Sequence, residues 1–95
     1  MAGKLVEMRL LQTFVAVASR RNFADGGRRL GLSRHTVGIR IRLLEKRLGV
    51  RLFDRGARGI ETKLTATGHE LLLDALTILK LHDRIVARAR RGEAE

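Results

Sequence analysis

Gly31-Leu32-Ser33 stops one helix and starts another within three residues, and no other feature of the chain constrains its fold as strongly. Gly31 suits the position just past a helix C-terminus, where the backbone turns left-handed. Ser33 suits an N-cap, where a side-chain oxygen accepts from the first N–H groups of the next helix. Upstream, Asn22 offers a second cap oxygen with Asp25 three residues later, so a short helix is expected from Phe23 to about Leu30. Downstream, Val37, Ile41, Leu44 and Leu48 fall within a narrow arc at about 100° per residue, which predicts a helix with that stripe in the core, ended by Gly49.

The remaining elements follow from similar signals. Leu10, Leu11, Phe14, Val17 and Ala18 recur at three- and four-residue steps, predicting an amphipathic helix over roughly Arg9 to Ser19. Val50 to Phe53 and Ile60 to Leu64 read as two short strands around a loop from Asp54 to Gly59. Thr65 or Thr67 caps a last helix, Thr67 and Glu70 having capping-box spacing, and that helix is expected to reach about Arg90. Along it Leu72, Ala75, Leu79, His82 and Val86 form a heptad-like seam, widened by Leu71, Leu76, Ile78 and Ile85. The first three helices are too short to cover so long an apolar face, so a second copy of the chain is its simplest partner. The expected architecture is mainly α, a winged helix-turn-helix over 1–65, a linker or dimerisation helix over 66–90 and a tail over 91–95.

Charge narrows the partner. Formal net charge is +10, and ten of the twenty Lys and Arg residues lie between Arg28 and Arg58, where the only acids are Glu45 and Asp54. Most are arginine, whose planar fork matches phosphate and guanine edges. A helix with one apolar stripe and this much positive charge elsewhere can pack against a core while presenting its other face to a polyanion. On that outer face lie His35, Ile39, Arg42 and Lys46, flanked by Arg34 and Gly38 on one side and by Thr36 and Arg40 on the other.

Other classes fare poorly. With no cysteine, disulfides and thiolate metal sites are excluded and a reducing compartment suits the chain. His69 and His82 are thirteen apart and His35 lies on the outer face, so no spacing converges on zinc and no metal or cofactor is expected. Neither a nucleophile triad, a phosphate-binding glycine loop nor a dinucleotide pattern occurs, and no enzyme activity is expected. There is no apolar run of about 18 residues and aromatic anchors are nearly absent, so no membrane role is expected. The expected place is the cytoplasm, on the nucleoid.

Several runs together resemble a known family. They are Phe14-Val15-Ala16-Val17-Ala18, Asn22-Phe23, Leu30-Gly31-Leu32-Ser33, Leu44-Glu45, Leu48-Gly49-Val50-Arg51-Leu52-Phe53-Asp54-Arg55 and Leu64-Thr65-Ala66-Thr67-Gly68. In this order and spacing, over roughly Met8 to Ile85, the chain resembles the N-terminal domain of LysR-type transcriptional regulators. The resemblance implies a recognition helix in the major groove and a linker helix that pairs two copies. Members normally continue into a two-lobed effector-binding domain that these residues do not supply, so no small-molecule effector is expected on this chain, whether it is a fragment or a naturally short relative. The chain departs from the family pattern at Gly26-Gly27, where two alanines are common, and at Arg34, His35, Gly38 and Ile39, where glutamine, proline, serine and arginine are frequent. Its wing also reads about two residues longer than usual by the family pattern.

The expected function is sequence-specific binding of double-stranded DNA for transcription regulation, by a homodimer reading a pseudo-palindromic site. Base contacts are expected from Arg34, His35, Thr36, Gly38 and Ile39, with Ile39 suited to a thymine methyl. Phosphate or wing contacts are expected from Ser33, Arg40, Arg42, Lys46, Arg51, Arg55 and Arg58. A non-specific nucleoid-associated or RNA-binding basic protein is the alternative, and an interaction module whose last helix pairs with a different protein is a third reading.

Overall fold

The computed structural model describes residues 5–55 and 62–94. In chain order its elements are α1 (Met8–Arg20), α2 (Phe23–Leu30), α3 (Arg34–Leu48), β1 (Phe53–Arg55), β2 (Thr62–Leu64) and α4 (Ala66–Ala94). Helix ends fall where capping chemistry put them. Asn22 accepts from the amides of Ala24 and Asp25 at 2.8 and 3.1 Å, and Ser33 accepts from Thr36 N–H at 3.1 Å. Gly31 and Gly49 take left-handed φ values of 71° and 72° and close α2 and α3.

Helix α1 packs against α2, α3 and α4 around one core of Leu10, Phe14, Val17, Phe23, Val37, Ile41, Leu44, Leu52, Phe53 and Ala75. All three phenylalanines of the chain meet there. Phe53 stands edge-on to Phe14 and to Phe23, with centroids 5.7 and 5.9 Å apart, an arrangement worth about 0.5–1.5 kcal/mol per pair beyond area burial. Since Phe53 opens β1, the same ring holds the hairpin to the helices. The hairpin is antiparallel, with Phe53 opposite Leu64, Asp54 opposite Lys63 and Arg55 opposite Thr62.

Three sequence expectations need correction, and one open alternative is settled. The first strand begins at Phe53 rather than Val50, because the backbone of residues 50–52 is bound elsewhere: Val50 N–H donates to Glu45 O at 3.2 Å and Leu52 N–H to the Glu45 carboxylate at 2.8 Å. Leu48, expected in the core stripe of α3, is 38% exposed at the end of that helix, where neighbouring elements no longer reach it. Helix α4 is capped by Thr65, whose hydroxyl accepts from Gly68 N–H at 2.9 Å and donates to Arg51 O at 2.7 Å, so the Thr67 alternative drops out. Finally, α4 runs through the residues expected as a tail and ends at Ala94, spanning 29 residues or about 43 Å.

The seam expected along α4 also turns out to face inward in part. Ala75 is 3% exposed inside its own domain's core and Leu72 packs against that core, while Leu79 lines a groove shared with α1. The apolar residues left outward include Ile78, Leu81 and Ile85, the last 69% exposed. At about 100° per residue these three fall within roughly 60° of arc, on a strip about a third of a turn round the helix from the inner one.

Glu45 is the polar residue on which the hairpin's attachment depends, since its carboxylate takes the amides of both Leu52 and Phe53, at 2.8 and 3.5 Å. Removing it leaves amides beside the core without an acceptor, at a cost of about 1.5–3 kcal/mol for bonds to a charged group. Glu45→Ala is therefore expected to lower the unfolding free energy by about that much in urea titration, with Glu45→Gln recovering part of the loss.

Candidate nucleic-acid interface

Helices α2 and α3 and the turn between them form one bonded unit. Gly31 N–H donates to Arg28 O at 3.2 Å and Leu32 N–H to Gly27 O at 2.8 Å, closing α2 as Ser33 opens α3. The close approach needs the glycines that replace the common alanines. A Cβ built at Gly27 would stand 2.6 Å from Leu32 O, and one at Gly26 3.0 Å from Val17 Cα. What reads in sequence as lost helix propensity is thus the room in which α1, α2 and the turn pack.

With this turn set, α3 buries Val37, Ile41 and Leu44 and presents its other side. Arg34, His35, Arg42 and Lys46 are exposed, as is Ile39 at 46%. Thr36 and Arg40 are half-buried on the flank toward α1, where the Arg40 guanidinium donates to the Thr13 hydroxyl at 3.5 Å. On the opposite flank, a Cβ at Gly38 would meet only the Phe23 ring, at 4.0 Å, so this position faces α2. Ser33 is exposed and its hydroxyl is shared between Thr36 N–H and the Thr36 hydroxyl, at 3.1 and 3.0 Å.

Arg51 is exposed just before the hairpin and its carbonyl accepts from Thr65. The Arg55 backbone ends β1, while Arg58 lies outside the described residues together with the rest of the hairpin tip. The structure therefore brings Arg34, His35, Ile39, Arg42 and Lys46 onto one exposed helix face, with Thr36 and Arg40 at its edge. It does not assign positions to the tip contacts.

Not every cation of the basic stretch belongs to that face. Arg28 pairs with Asp25 within α2. Arg47 turns away to bond Leu5 O and the Glu7 carboxylate, both at 3.2 Å, and Glu7 also pairs with Arg9 at 3.0 Å. These two roles, and that of Glu45, were missed in the sequence. Glu45 did leave a signal, because an acid near a helix C-terminus opposes the helix dipole and so implies a compensating partner. Arg47 left none, its partner lying some forty residues away in sequence.

Among the described residues no group of three or more His, Asp or Glu side chains could hold a metal ion, and no helix is long and apolar enough to cross a membrane. A helix-turn-helix with an exposed basic second helix, a two-stranded wing rooted beside it and a long following helix defines a DNA-binding winged helix-turn-helix domain. The chain belongs to the lysR family of bacterial regulatory helix-turn-helix proteins, whose family model matches residues 8–69. That family consists of transcriptional regulators rather than enzymes.

Among its relatives is the transcriptional regulator BudR of Klebsiella aerogenes, 40% identical over 85 residues that cover 90% of this chain and 58% of BudR. Another is TcbR of Pseudomonas sp. strain P51, 44% identical over 85 residues, which cover 90% of this chain and 28% of TcbR. The chain thus spans well under two thirds of these curated relatives. Of solved structures, the CbnR DNA-binding domain in complex with DNA matches with a TM-score of 0.82 at 40% identity, covering 92% of this chain and 98% of that one. Full-length CbnR, a LysR family transcriptional regulator, matches at 41% identity and a TM-score of 0.81, covering 90% of this chain and 29% of that one.

The two helix-turn-helix glycines make opposite predictions. Gly27→Ala forces Leu32 O or the Val37 side chain to move and should destabilise by about 1–3 kcal/mol, as overpacking does. Gly38→Ala has room within the fold and should stabilise by up to about 1 kcal/mol through helix propensity, and a loss of DNA affinity beside that gain would mark the duplex contact expected at this position. Urea titration and a DNA-binding isotherm on the same two variants check both signs.

Proposed function

We propose that this chain binds double-stranded DNA in a sequence-specific way to regulate transcription, as a homodimer held through α4, in the cytoplasm. The supporting observation for DNA binding is the outer face of α3, where cations and one exposed isoleucine are displayed on a helix braced from behind by α1 and α2. Arg34 and His35, in the first turn, reach base edges, and Ile39 meets a thymine methyl. Ser33, Arg40, Arg42, Lys46 and Arg51 hold phosphates and set register, with the wing residues Arg55 and Arg58 reaching the adjacent groove.

Self-pairing is supported by the outward strip of Ile78, Leu81 and Ile85 on a domain whose own core is already filled. Charge order along α4 agrees. Glu70 and Asp74 lie in its first half, whereas Arg84, Arg88, Arg90 and Arg91 outnumber Asp83 and Glu93 in its second, so two copies running in opposite directions bring halves of unlike net charge together. A two-fold dimer of this kind presents two copies of α3 to the half-sites of a pseudo-palindrome.

Selection from a library of genomic fragments at physiological salt is expected to enrich a dyad motif. An absence of any motif, together with a steep salt dependence, would instead support the non-specific reading. Arg34→Ala is expected to relax discrimination at one base pair by about 1–3 kcal/mol, more than it weakens binding to mixed sequence. Replacing Leu81 and Ile85 by glutamate should weaken self-association at least about tenfold by sedimentation, with helical circular dichroism retained, since each apolar side chain buried in a pair contributes about 1.5–3 kcal/mol.

A further inference from the structure

Three helices end in a left-handed residue: α2 at Gly31, α3 at Gly49 and α1 at Arg21, where φ is 55°. Glycine enters that region freely, whereas an L side chain there crowds its own backbone. Arg21 is the one positive-φ residue other than glycine among the described residues, so a long cationic side chain stands where glycine would be less strained, which points to a use for that side chain. That side chain lines a groove of about 500 Å³ together with Lys63 of β2 and His69 in the first turn of α4, beside Phe53 and Leu64. No carboxylate is among the residues lining the groove, although Asp54 stands directly across the hairpin from Lys63, and among the described residues Arg21, Lys63 and His69 take part in no ion pair.

The groove is fixed to the wing. Thr62 N–H donates to Arg21 O at 3.3 Å, which ties the α1–α2 turn to β2 one residue ahead of the Asn22 cap of α2. When α3 enters a major groove, the first helix of the helix-turn-helix, here α2, crosses the bordering backbone, and Arg21 stands just before the cap of that helix. We propose that Arg21, Lys63 and His69 form a phosphate clamp at the wing root, holding one backbone phosphate of the bound duplex and fixing the register of α3 without reading a base. The clamp rests on the DNA-binding reading above and adds to it a contact outside both α3 and the wing tip.

Salt dependence tests it, because each phosphate neutralised contributes about 0.9 to the slope of log affinity against log salt, or about eightfold in affinity at 0.1 M salt. The full chain, Arg21→Gly and Lys63→Ala would be titrated onto a mixed-sequence duplex of about 30 base pairs and onto a selected site. Arg21→Gly is expected to melt no lower than the unaltered chain, its backbone strain being relieved, yet to lose about 0.9 of slope on both duplexes alike. Lys63→Ala should lose the same increment and not a second one, the double variant losing no more than about 0.9 in all, because one phosphate is held between them. The clamp is overturned if either variant keeps the full slope, or if the loss is confined to the selected site, which would mark base readout. Inorganic phosphate, followed by amide shifts of Arg21 and His69, separates the remaining source: binding of free phosphate with unchanged DNA slopes would make this a small-anion site and not a DNA contact. If the unaltered chain binds neither duplex, the DNA-binding reading itself has failed, an outcome distinct from failure of the clamp alone.

Discussion

Phe53 is wedged edge-on between Phe14 of α1 and Phe23 of α2, and the rest of the architecture hangs on that contact. A two-stranded hairpin of three residues per strand has too little surface to be stable alone in water. It persists because one end is driven into the helical core while its preceding backbone is gripped by Glu45. Apolar burial and charge-assisted hydrogen bonding act here on adjacent residues. The first supplies most of the free energy, and the second fixes where the strand begins.

How much could be read in advance follows from the range of the forces involved. Asn22, Gly31, Ser33 and Gly49 set their helix ends through bonds spanning at most a few residues, so a sequence window contains the whole cause. The outer face of α3 was legible for the same reason, since helical periodicity alone separates His35, Ile39, Arg42 and Lys46 from Val37, Ile41 and Leu44. Failures came where the cause lay elsewhere in the chain. Glu45 signals that a partner is needed near the end of α3, but not that its partners are the amides a longer first strand would have used. A heptad-like count along α4 finds that one side is apolar, but Ala75 and Leu72 were assigned to a partner when α1 and the hairpin already occupied that side. Leu48 erred in the other direction, its periodicity outrunning the elements available to cover it.

Charge shows a similar division. A net +10 reads as a uniform attraction for polyanions, yet the fold spends particular cations on itself. Arg47 secures the segment before α1 through Leu5 and Glu7, and Arg28 is engaged by Asp25. The remaining charge is therefore more directional than composition implies, with Arg34, Arg42 and Lys46 left exposed along α3.

The junction at Thr65 has a mechanical side. Its hydroxyl bonds Arg51 O, its amide donates to Leu52 O and it caps α4, while Gly68 lies so near Leu52 O that no side chain fits between them. The first turn of α4 is in effect welded to the base of the wing. A stiff rod about 43 Å long fixed in this way is a lever, so a small tilt imposed at its far end would be delivered to the hairpin as a rotation and not absorbed at a hinge.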